Sequence, residues 1–393
     1  MPMHVVNDKL KSWATDLDER TTQQARRTAR LSVVTGHVAL MADAHLGLGA
    51  TVGSVVPTAG AVIPACVGVD IGCGMAAVRT DLTAADLPDE LSPLLTTLER
   101  AVPAGVGRGH DSARRDHTSA HAVATWLKAN RPQTMLSPKQ ERTAHDQLGT
   151  LGSGNHFVEV SLDESDTVWV VLHSGSRGIG NQLAMSHIAE AKSVARRLDI
   201  GLEDPALAYL LEGTKEFTHY IADLRFAQAY ARVNRDTMLD AMLLLFFRFV
   251  GKGRELERVN CHHNYTAQER HFGRELWVTR KGAISARKGE RGIVPGSMGT
   301  DTYIVVGLGN PESYNSSAHG AGRRMSRSQA KRTLSVESLK QAMVGRTWLN
   351  KKAAKLVDEH PDAYKDVAEV MRSQADLVEV EDRLRAVLNY KGT

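Results

Sequence analysis

The sequence predicts an α+β fold, with a single large mixed domain of β-sheets flanked by helices over residues 1–393. Short β-branched runs between Gly and Pro residues predict strands in the first third of the chain and again from residue 275. Longer segments with apolar positions at helical spacing lie between and after them. No internal repeat, low-complexity segment or linker divides the chain, and its 42% hydrophobic residues are enough to bury a large core.

The N-terminal elements are predicted from these runs. Strands are expected at 37–41, 53–57, 61–69 and 76–80. The polar stretch 84–148 is expected to be helical, apart from a loop at 104–110 that contains three glycines. Two further strands, at 157–160 and 167–172, each adjoin a turn rich in Gly and Ser.

The C-terminal half alternates in the same way. Helices are expected at 181–198 and 214–250, where apolar residues recur with helical spacing. The charged tail, 326–387, is predicted to be mainly helical, and the chain ends with 388–393. The strands expected before the tail are 275–280, 283–286 and 302–306.

Composition predicts a cytoplasmic protein with no membrane partner. The N-terminus carries no export signal, and the most apolar segment, 238–250, is short and interrupted by charges, which favours a buried helix. The net charge of +4 and the pI near 8.9 suit a partner that carries phosphates without identifying one. The cysteines are too few for a disulfide framework and comprise Cys66, Cys73 and Cys261.

Five segments place ligand-type side chains beside glycine-rich or polar turns that adjoin predicted strands. Loops at strand ends commonly carry chemistry, and glycine there lets the backbone approach a phosphate closely. The segments are 70–74 (Asp-Ile-Gly-Cys-Gly), 152–156 (Gly-Ser-Gly-Asn-His), 173–177 (His-Ser-Gly-Ser-Arg), 261–264 (Cys-His-His-Asn) and 317–323 (Ser-Ala-His-Gly-Ala-Gly-Arg).

Several of these residues suit a metal ion. Neutral imidazoles bind Mn²⁺ or Zn²⁺, and a thiolate adds negative charge. Taken singly each has a plainer interpretation, since Asp70 can cap a turn, Cys73 can be an inert buried thiol, and a lone histidine is more often a core or surface residue. Together they predict a metal site in which two ions share the cysteine and use Asp70, Cys73, His156, His173 and His263.

His319 lies among small residues that leave room for a bulky substrate, and Arg323 nearby can fork onto phosphate oxygens. Histidine is a competent nitrogen nucleophile toward phosphorus, although a flexible surface turn explains the same pattern. The loop 295–299 (Pro-Gly-Ser-Met-Gly) can cradle a phosphate or form a plain turn. It lacks the Gly-Lys-Ser/Thr ending of a P-loop.

Read in order, seven segments resemble the RtcB family of RNA-splicing ligases. The resemblance runs from about Asp43 to Gly392, nearly the whole chain, and seven segments in family order are far more specific than any one of them. They are 43–47 (Asp-Ala-His-Leu-Gly), 68–75 (Gly-Val-Asp-Ile-Gly-Cys-Gly-Met), 151–157 (Leu-Gly-Ser-Gly-Asn-His-Phe), 173–178 (His-Ser-Gly-Ser-Arg-Gly), 262–265 (His-His-Asn-Tyr), 295–299 and 319–323 (His-Gly-Ala-Gly-Arg).

The resemblance implies a role for each matching residue. The five predicted metal ligands would bind two Mn²⁺ ions, with Cys73 bridging, and His263 rather than His262 is implied because it precedes the asparagine. His319 looks like the histidine that attacks the α-phosphate of GTP and becomes guanylated. The positions that resemble guanylate contacts are Asn155, Phe157, Glu159, Ser297, His319, Gly320, Ala321, Gly322, Arg323, Tyr364 and Lys391.

The implied reaction joins an RNA 3′-phosphate or 2′,3′-cyclic phosphate end to a 5′-hydroxyl end, with GTP and Mn²⁺ as cofactors, in tRNA splicing or RNA repair. The partner is therefore RNA, with Arg108, Arg177 and Arg324 as candidates for backbone contacts, although Arg177 can equally be a structural ion-pair partner. A monomer is expected, and an archease-type activator is a partner that the resemblance allows.

Two other functions use parts of the same pattern. A metal-dependent cyclic phosphodiesterase that never ligates would need the five ligands but no guanylate site, so His319, Arg323 and Lys391 discriminate against it. A non-catalytic RNA-binding module predicts basic stripes interleaved with aromatic residues. With 5% aromatic residues and no such stripe, the sequence gives that second alternative little support.

Overall fold

Strands and helices alternate along the chain in this computed structural model, which describes residues 3–111 and 117–392. The strands are β1 His4–Asn7, β2 Leu10–Ser12, β3 Val38–His45, β4 Val52–Thr58, β5 Ala61–Val62, β6 Gly74–Thr83, β7 Phe157–Leu162, β8 Thr167–Ser174, β9 Leu210–Leu211, β10 Glu255–His262, β11 Asn264–His271, β12 Arg274–Lys281, β13 Ala283–Ser285, β14 Arg291–Pro295, β15 Thr302–Gly307, β16 Ser316–Ala318, β17 Thr347–Trp348 and β18 Val378–Lys391.

The helices range from single turns to the long α7, which packs against the larger sheet. They are α1 Glu19–Ala29, α2 Pro64–Val67, α3 Ser92–Ala101, α4 His117–Ala129, α5 Pro138–Gln147, α6 Arg177–Arg197, α7 Lys215–Val250, α8 Arg327–Thr333, α9 Val336–Ala342, α10 Ala353–Leu356 and α11 Val367–Ser373. Residues 112–116, inside the predicted helical stretch 84–148, and Thr393, inside the predicted end 388–393, lie outside the described residues.

Two sheets carry most of the strands. The smaller has the strand order β1-β2-β3-β4-β12-β11, and the larger has the order β10-β6-β8-β7-β18-β15-β14, with β17 beside β18. The end strands of the larger sheet, β10 and β14, contact each other, so this sheet curls nearly closed.

Both faces of the larger sheet are buried. Successive side chains of a strand point to opposite faces, so each strand contributes residues to two different clusters. One face, which includes Val78 and Val170, packs against apolar residues of α3 and α7 such as Leu98 and Met242. The neighbouring residues in the strands, such as Val171, fill the inside of the curled sheet. Burial on both sides explains why these strands read as continuous apolar runs in the sequence.

The α+β class is confirmed, together with most of the predicted elements. The helices expected at 181–198 and 214–250 are α6 and α7, and the strands expected at 157–160 and 167–172 are β7 and β8. The remaining confirmed strands are longer or shorter than predicted by a few residues at their ends. Among the described residues, no helix has both the length and the apolar character that crossing a bilayer requires.

One prediction of secondary structure was wrong, and another holds only in part. The segment 61–69 is not one strand, because Pro64 begins the helix α2 after the two residues of β5; proline is favoured at a first helical position and cannot donate to a sheet. The tail 326–387 is helical only in part, since its last residues belong to the 14-residue strand β18. Four charged residues of β18, at positions 379, 381, 383 and 385, are exposed in a strand that pairs with β7 on one side and β15 on the other.

Candidate active site

The predicted metal ligands lie at one edge of the larger sheet. Because β10, β6, β8 and β7 are antiparallel neighbours, the C-terminal ends of β10 and β8 meet the N-terminal ends of β6 and β7 at that edge. Cys73 precedes β6, His156 precedes β7, His173 lies near the end of β8, and His263 follows β10. Sheet register therefore brings together residues that are up to 190 positions apart.

The ligand atoms form two groups that share Cys73. The Cys73 Sγ is 3.4 Å from the Nε2 of His156 and 3.4 Å from the Nε2 of His173. The Asp70 Oδ2 is 3.2 Å from the Nε2 of His156, and the two Nε2 atoms of His173 and His263 are 3.4 Å apart. One group is Cys73, His173 and His263, the other is Asp70, Cys73 and His156, and within each the ligand atoms lie within 4.8 Å of one another.

Two of the histidines are oriented by their second ring nitrogen. The Nδ1 of His156 donates to the carbonyl of Leu151 at 2.8 Å, and the Nδ1 of His173 donates to the carbonyl of Asn155 at 3.2 Å. The protons are thereby fixed on Nδ1, which leaves the lone pairs of Nε2 directed into the cluster. Metal-bound histidines are typically held in this way.

Electrostatics of the cluster suit a cation. Burial lowers the pKa of His173 and of His263 well below the usual value, so both rings are neutral. Burial and the nearby Asp70 carboxylate raise the pKa of the Cys73 thiol well above its usual value. A divalent cation reverses that effect because it stabilises the thiolate. The donor set of one thiolate, one carboxylate and three imidazoles therefore fits divalent metal ions.

A glycine makes the Asp70 position possible. A Cβ atom at residue 175 would lie 2.2 Å from the Asp70 Oδ1, so only glycine leaves room for the carboxylate there. The same carboxylate oxygen accepts from the backbone N–H of Ser176 at 3.0 Å. The His-Ser-Gly-Ser turn therefore positions both a histidine ligand and the carboxylate of a distant loop.

Two buried polar residues of α7, Asn234 and Arg235, hold the metal-site loops together. The guanidinium of Arg235 is fully buried and donates to the carbonyls of Gly72 and Ser174 at 2.9 and 3.0 Å. The amide of Asn234 donates to Gly175 O at 3.1 Å and accepts from the N–H of Gly149 at 2.7 Å. The sequence interpretation missed both residues. The available signal was a polar pair at a buried position of an otherwise apolar helical stripe.

His319 lies beside the metal cluster and against Asp43 of β3. Its ring centroid is 4.7 Å from that of His263, and its Nδ1 is 2.6 Å from the Asp43 Oδ2. The close approach depends on Gly322, which has φ +72° and whose Cβ would lie 2.3 Å from the carbonyl of Asp43. Asp43 lies in segment 43–47, one of the seven that resemble the RtcB family, but no role was predicted for it.

One cavity of about 570 Å³ is lined by His319 and by four of the five predicted metal ligands, all except His156. Most of the predicted guanylate positions line it, whereas Glu159 and Ser297 do not. Ser297 instead stays within its own turn, where its backbone N–H donates to the Thr300 hydroxyl at 2.6 Å. The predicted residues on the cavity wall are Asp70, Cys73, Asn155, Phe157, His173, His263, His319, Gly320, Ala321, Gly322, Arg323, Tyr364 and Lys391.

A buried carboxylate that was not predicted, Glu359, organises the far wall of the cavity. Its Oε2 is 2.9 Å from the Lys391 ammonium and accepts from the Tyr364 hydroxyl at 2.7 Å. Lys391 and Arg327 hold the pKa of this carboxyl at about 2 despite its burial. Arg323 stacks on the Tyr364 ring at 4.8 Å and donates to two main-chain carbonyls, so its guanidinium is held in place rather than free.

Glu159 lies behind this wall, on β7. Its Oε1 accepts from the Asn389 side chain at 2.7 Å, and burial raises the pKa of the carboxyl to about 7. Phe157, two residues earlier on the same strand face, lies on the cavity wall with the Lys391 ammonium 5.2 Å from its ring centroid. Glu159 is therefore one layer beneath the cavity surface, next to residues that form it.

The three arginines predicted to contact RNA have different environments. Arg108 and Arg324 are exposed, and Arg177 is half-buried. The guanidinium of Arg177 packs on Gly152 and donates to the Thr150 hydroxyl at 3.3 Å, close enough to Asp70 to help lower the pKa of that carboxyl. Arg177 therefore has a neutral hydrogen-bond partner in Thr150, and both sequence interpretations, RNA contact and structural ion pair, stay predictions.

The sequence of the chain is similar to those of known RNA ligases. A family model described as tRNA-splicing ligase RtcB matches residues 24–392. Two Escherichia coli proteins named RNA-splicing ligase RtcB1 and RtcB are 45% and 44% identical to the chain, each over 98% of both chains. The tRNA-splicing ligase RtcB of Nanoarchaeum equitans is 30% identical over 95% of this chain and 92% of that one. The chain therefore belongs to the RtcB family.

Proposed function

We propose that this chain is a GTP- and Mn²⁺-dependent RNA ligase that joins a 3′-phosphate or 2′,3′-cyclic phosphate end to a 5′-hydroxyl end, in tRNA splicing or RNA repair. The names of its relatives, RNA-splicing and tRNA-splicing ligase, support the ligase activity. The observation that carries the proposal is that a nucleophile and a metal-binding cluster share one cavity, where the rings of His319 and His263 are 4.7 Å apart.

The metal ligands would hold two Mn²⁺ ions with Cys73 between them, because the two ligand groups have only that residue in common. When bound, such ions neutralise phosphate charge and act as Lewis acids at phosphorus. The residues of the chain supply the rest. His156 and His173 keep their Nε2 lone pairs directed inward, and Arg235 keeps the ligand loops at a fixed separation.

His319 is the proposed nucleophile, and its Nε2 is the reacting atom because Nδ1 faces the Asp43 carboxylate. Nε2 forms a bond to the α-phosphorus of GTP while the bond to pyrophosphate breaks. An oxygen of the RNA 3′-phosphate then displaces Nε2 and gives RNA-3′-pp-G. Finally, the 5′-hydroxyl oxygen attacks the 3′-phosphate, loses its proton, and releases GMP. A cyclic phosphate must first be opened by water.

The guanylate would lie along the wall that Asn155, Phe157, Tyr364 and Lys391 form. The aromatic rings offer stacking surfaces, and the Lys391 ammonium offers a donor. Glu359 keeps Lys391 and Tyr364 in place through buried contacts. Glu159 and Ser297 stay proposed guanylate positions, and Glu159 supports this wall from behind through its bond to Asn389.

A guanylation assay tests the proposal. With Mn²⁺ and α-³²P-labelled GTP, the protein should acquire a covalent, acid-labile label, and His319→Asn should acquire none. His4→Asn, which changes an exposed histidine on β1, is the matched control and should label normally. Label on the His319→Asn variant would refute the nucleophile assignment.

The competing function is a metal-dependent cyclic phosphodiesterase, which needs the same cluster but not His319. It is favoured if the wild type takes no label yet opens a 2′,3′-cyclic phosphate without GTP. Ligation of labelled RNA ends with and without GTP completes the comparison, because only the ligase makes a joined product that depends on GTP.

We also propose that the chain acts as a one-domain monomer in the cytoplasm and that an archease-type protein can activate it. The three cysteines are unpaired, which suits a reducing compartment. Light scattering tests the monomer, and multiple-turnover ligation with added archease tests the activator.

A further inference from the structure

Besides the predicted site residues, the cavity has a part of its wall that is mainly apolar. We call this region the apolar mouth and define it by Leu48, Val52, Val69, Met185, Ile188 and Ala206. None of these residues is a predicted metal or guanylate contact. Two lysines, Lys192 and Lys281, also line the cavity beside them.

Two large apolar side chains of the apolar mouth are exposed to solvent. Leu48, in the loop between β3 and β4, is 85% exposed, and Met185 on α6 is 53% exposed. Met185, Ile188 and Lys192 follow one another at a spacing of three and four residues, so they form one stripe along α6. Single exposed apolar residues are ordinary, but two that line the same cavity beside further apolar residues are typical of a binding surface.

The loop that presents Leu48 is held firmly. The side chain of Gln24 donates to the carbonyls of Gly47 and Gly49 at 2.7 and 3.1 Å and accepts from the N–H of Gly47 at 3.1 Å. The ammonium of Lys281 donates to the carbonyl of Leu48. The exposure of Leu48 is therefore built into the fold, and the mouth is preformed.

The polar groups of the mouth fit a nucleotide. The Lys281 ammonium donates to the carbonyls of Leu48 and Ala65 and has no carboxylate partner among the described residues. Its charge is therefore available to a phosphate. His45 also lines the cavity; its Nδ1 donates to the Asp43 carbonyl at 3.0 Å, which leaves Nε2 of the neutral ring as an acceptor for a ribose hydroxyl.

The mouth adjoins His319 directly. A Cβ atom at Gly282 would lie 2.5 Å from the Val52 Cγ1 and 2.9 Å from the His319 Cε1, so only this glycine separates the mouth from the nucleophile. The guanylate wall, with Phe157 and Lys391, extends from the other strands of the site. A phosphate that takes GMP from His319 can therefore have its own nucleoside in the mouth.

We infer that the apolar mouth binds the 3′-terminal nucleoside of the RNA, with the base between Leu48 and Met185 and the 3′-phosphate at His319. The inference rests on the proposed ligase function and specifies which strand end occupies this part of the cavity. Apolar contact with the face of a base is non-directional and does not depend on which base it is, so the mouth accepts any terminal nucleotide.

A single-turnover transfer assay tests the inference. The double variant Leu48→Ser/Met185→Ser is first guanylated with GTP, and the transfer of GMP to a 3′-phosphorylated oligoribonucleotide is measured against RNA concentration. The half-saturating RNA concentration should rise about tenfold, because the variant loses the apolar surface that the base would bury, and tenfold corresponds to ~1.4 kcal/mol. Leu244→Ser, at a 60% exposed leucine on α7, is the matched control and should behave as the wild type.

Two results would overturn the inference. One is an unchanged half-saturating concentration for the 3′-phosphate RNA, as expected if a protein partner covers the mouth. The other is an increase seen only for the 5′-hydroxyl RNA in the sealing step, which would assign the mouth to the other strand.

A crosslinking experiment needs neither guanylation nor a folded variant. Wild-type protein is irradiated with an oligoribonucleotide that ends in 4-thiouridine 3′-phosphate, and the attached peptide is identified. Attachment within 45–52 or 181–192 supports the inference, and attachment elsewhere refutes it. Because GTP is absent, a failure of the guanylation proposal does not affect this result.

Discussion

The chemistry of single residues here is set by what lies next to them. His319 resembles any other exposed-loop histidine in the sequence, but the structure places its Nδ1 2.6 Å from a fully buried carboxylate. That contact fixes which ring nitrogen can react. Asp43 is thus a positioning residue for the proposed nucleophile, in the way that a buried carboxylate orients the histidine of a hydrolase triad.

Asp43→Asn keeps the shape of the side chain and removes its charge. The rate of guanylation should fall about a hundredfold, since an oriented acid–base partner contributes ~10²–10⁴-fold. A stopped-flow or quench assay with labelled GTP measures the rate. The Mn²⁺ content and thermal stability should match the wild type, and a loss of either would show that the residue is merely structural.

Glu159 shows a second residue-scale effect, the cost of burying a carboxylate. Burial raises the pKa in the folded protein to about 7 from the usual 4.5, so stability is lost as pH rises through that interval. Glu159→Gln keeps an acceptor for Asn389 but cannot ionise, so it does not lose stability as the pH rises. Relative to the wild type, the variant should therefore gain stability between pH 5 and pH 8.5, by up to about 3 kcal/mol. Urea unfolding at the two pH values measures it, and a pH-independent difference would contradict the prediction.

At the scale of elements, α7 does more than cover the sheet. Its apolar stripe packs on the larger sheet, while Asn234 and Arg235 hydrogen-bond to the loops that carry the metal ligands. A helix is rigid, so loops attached to it through buried hydrogen bonds keep their separation. The site therefore depends on α7 although α7 supplies no metal ligand.

Arg235→Met removes these bonds and keeps much of the side-chain volume. Breaking a buried network of this kind costs about 3–5 kcal/mol, and loss of support behind metal ligands weakens metal binding ~10–100-fold. Arg232→Met, one turn away at an exposed position, is the control and should change neither property. Urea unfolding measures the stability, and Mn²⁺ titration measures the affinity. Normal Mn²⁺ affinity in Arg235→Met would show that Arg235 is not needed to hold the ligand loops in place.

At the scale of the whole molecule, the site joins the two sheets. The larger sheet supplies the metal ligands at one edge, and the smaller sheet supplies Asp43 at the end of β3. His319 follows the short strand β16, which pairs with β13 between them. A bound metal ion would therefore stabilise the arrangement of several distant segments at once.

Metal binding should stabilise the protein in a pH-dependent way. Burial and Asp70 raise the pKa of the Cys73 thiol, so a metal ion must displace its proton, and Mn²⁺ affinity should rise by up to about tenfold per pH unit. The increase in melting temperature on adding Mn²⁺ should therefore be larger at pH 8 than at pH 6 and should vanish with EDTA. In Cys73→Ala the shift should be smaller and less dependent on pH. A wild-type shift that is equal at both pH values would show that no thiolate forms.

Much of the fold could be predicted because its elements carry local signals. The 36-residue α7 and the apolar runs of β7 and β8 show their periodicity directly. The strand β18 could not be found in this way, since most of its charged residues are exposed and it is stabilised by pairing with β7 and β15. Pairing partners that are distant in the chain leave no local pattern.

The chemical types in the site can be read from the residues alone: one thiol, one carboxylate and several imidazoles in turns that need glycine. They can be read because side-chain chemistry and glycine turns are local properties. Three further contacts exist only in the folded chain: Asp43 with His319, Glu359 with Lys391 and Tyr364, and Arg235 with the loops that carry the metal ligands. Those contacts join residues whose proximity comes from sheet register and helix packing, which depend on the whole chain.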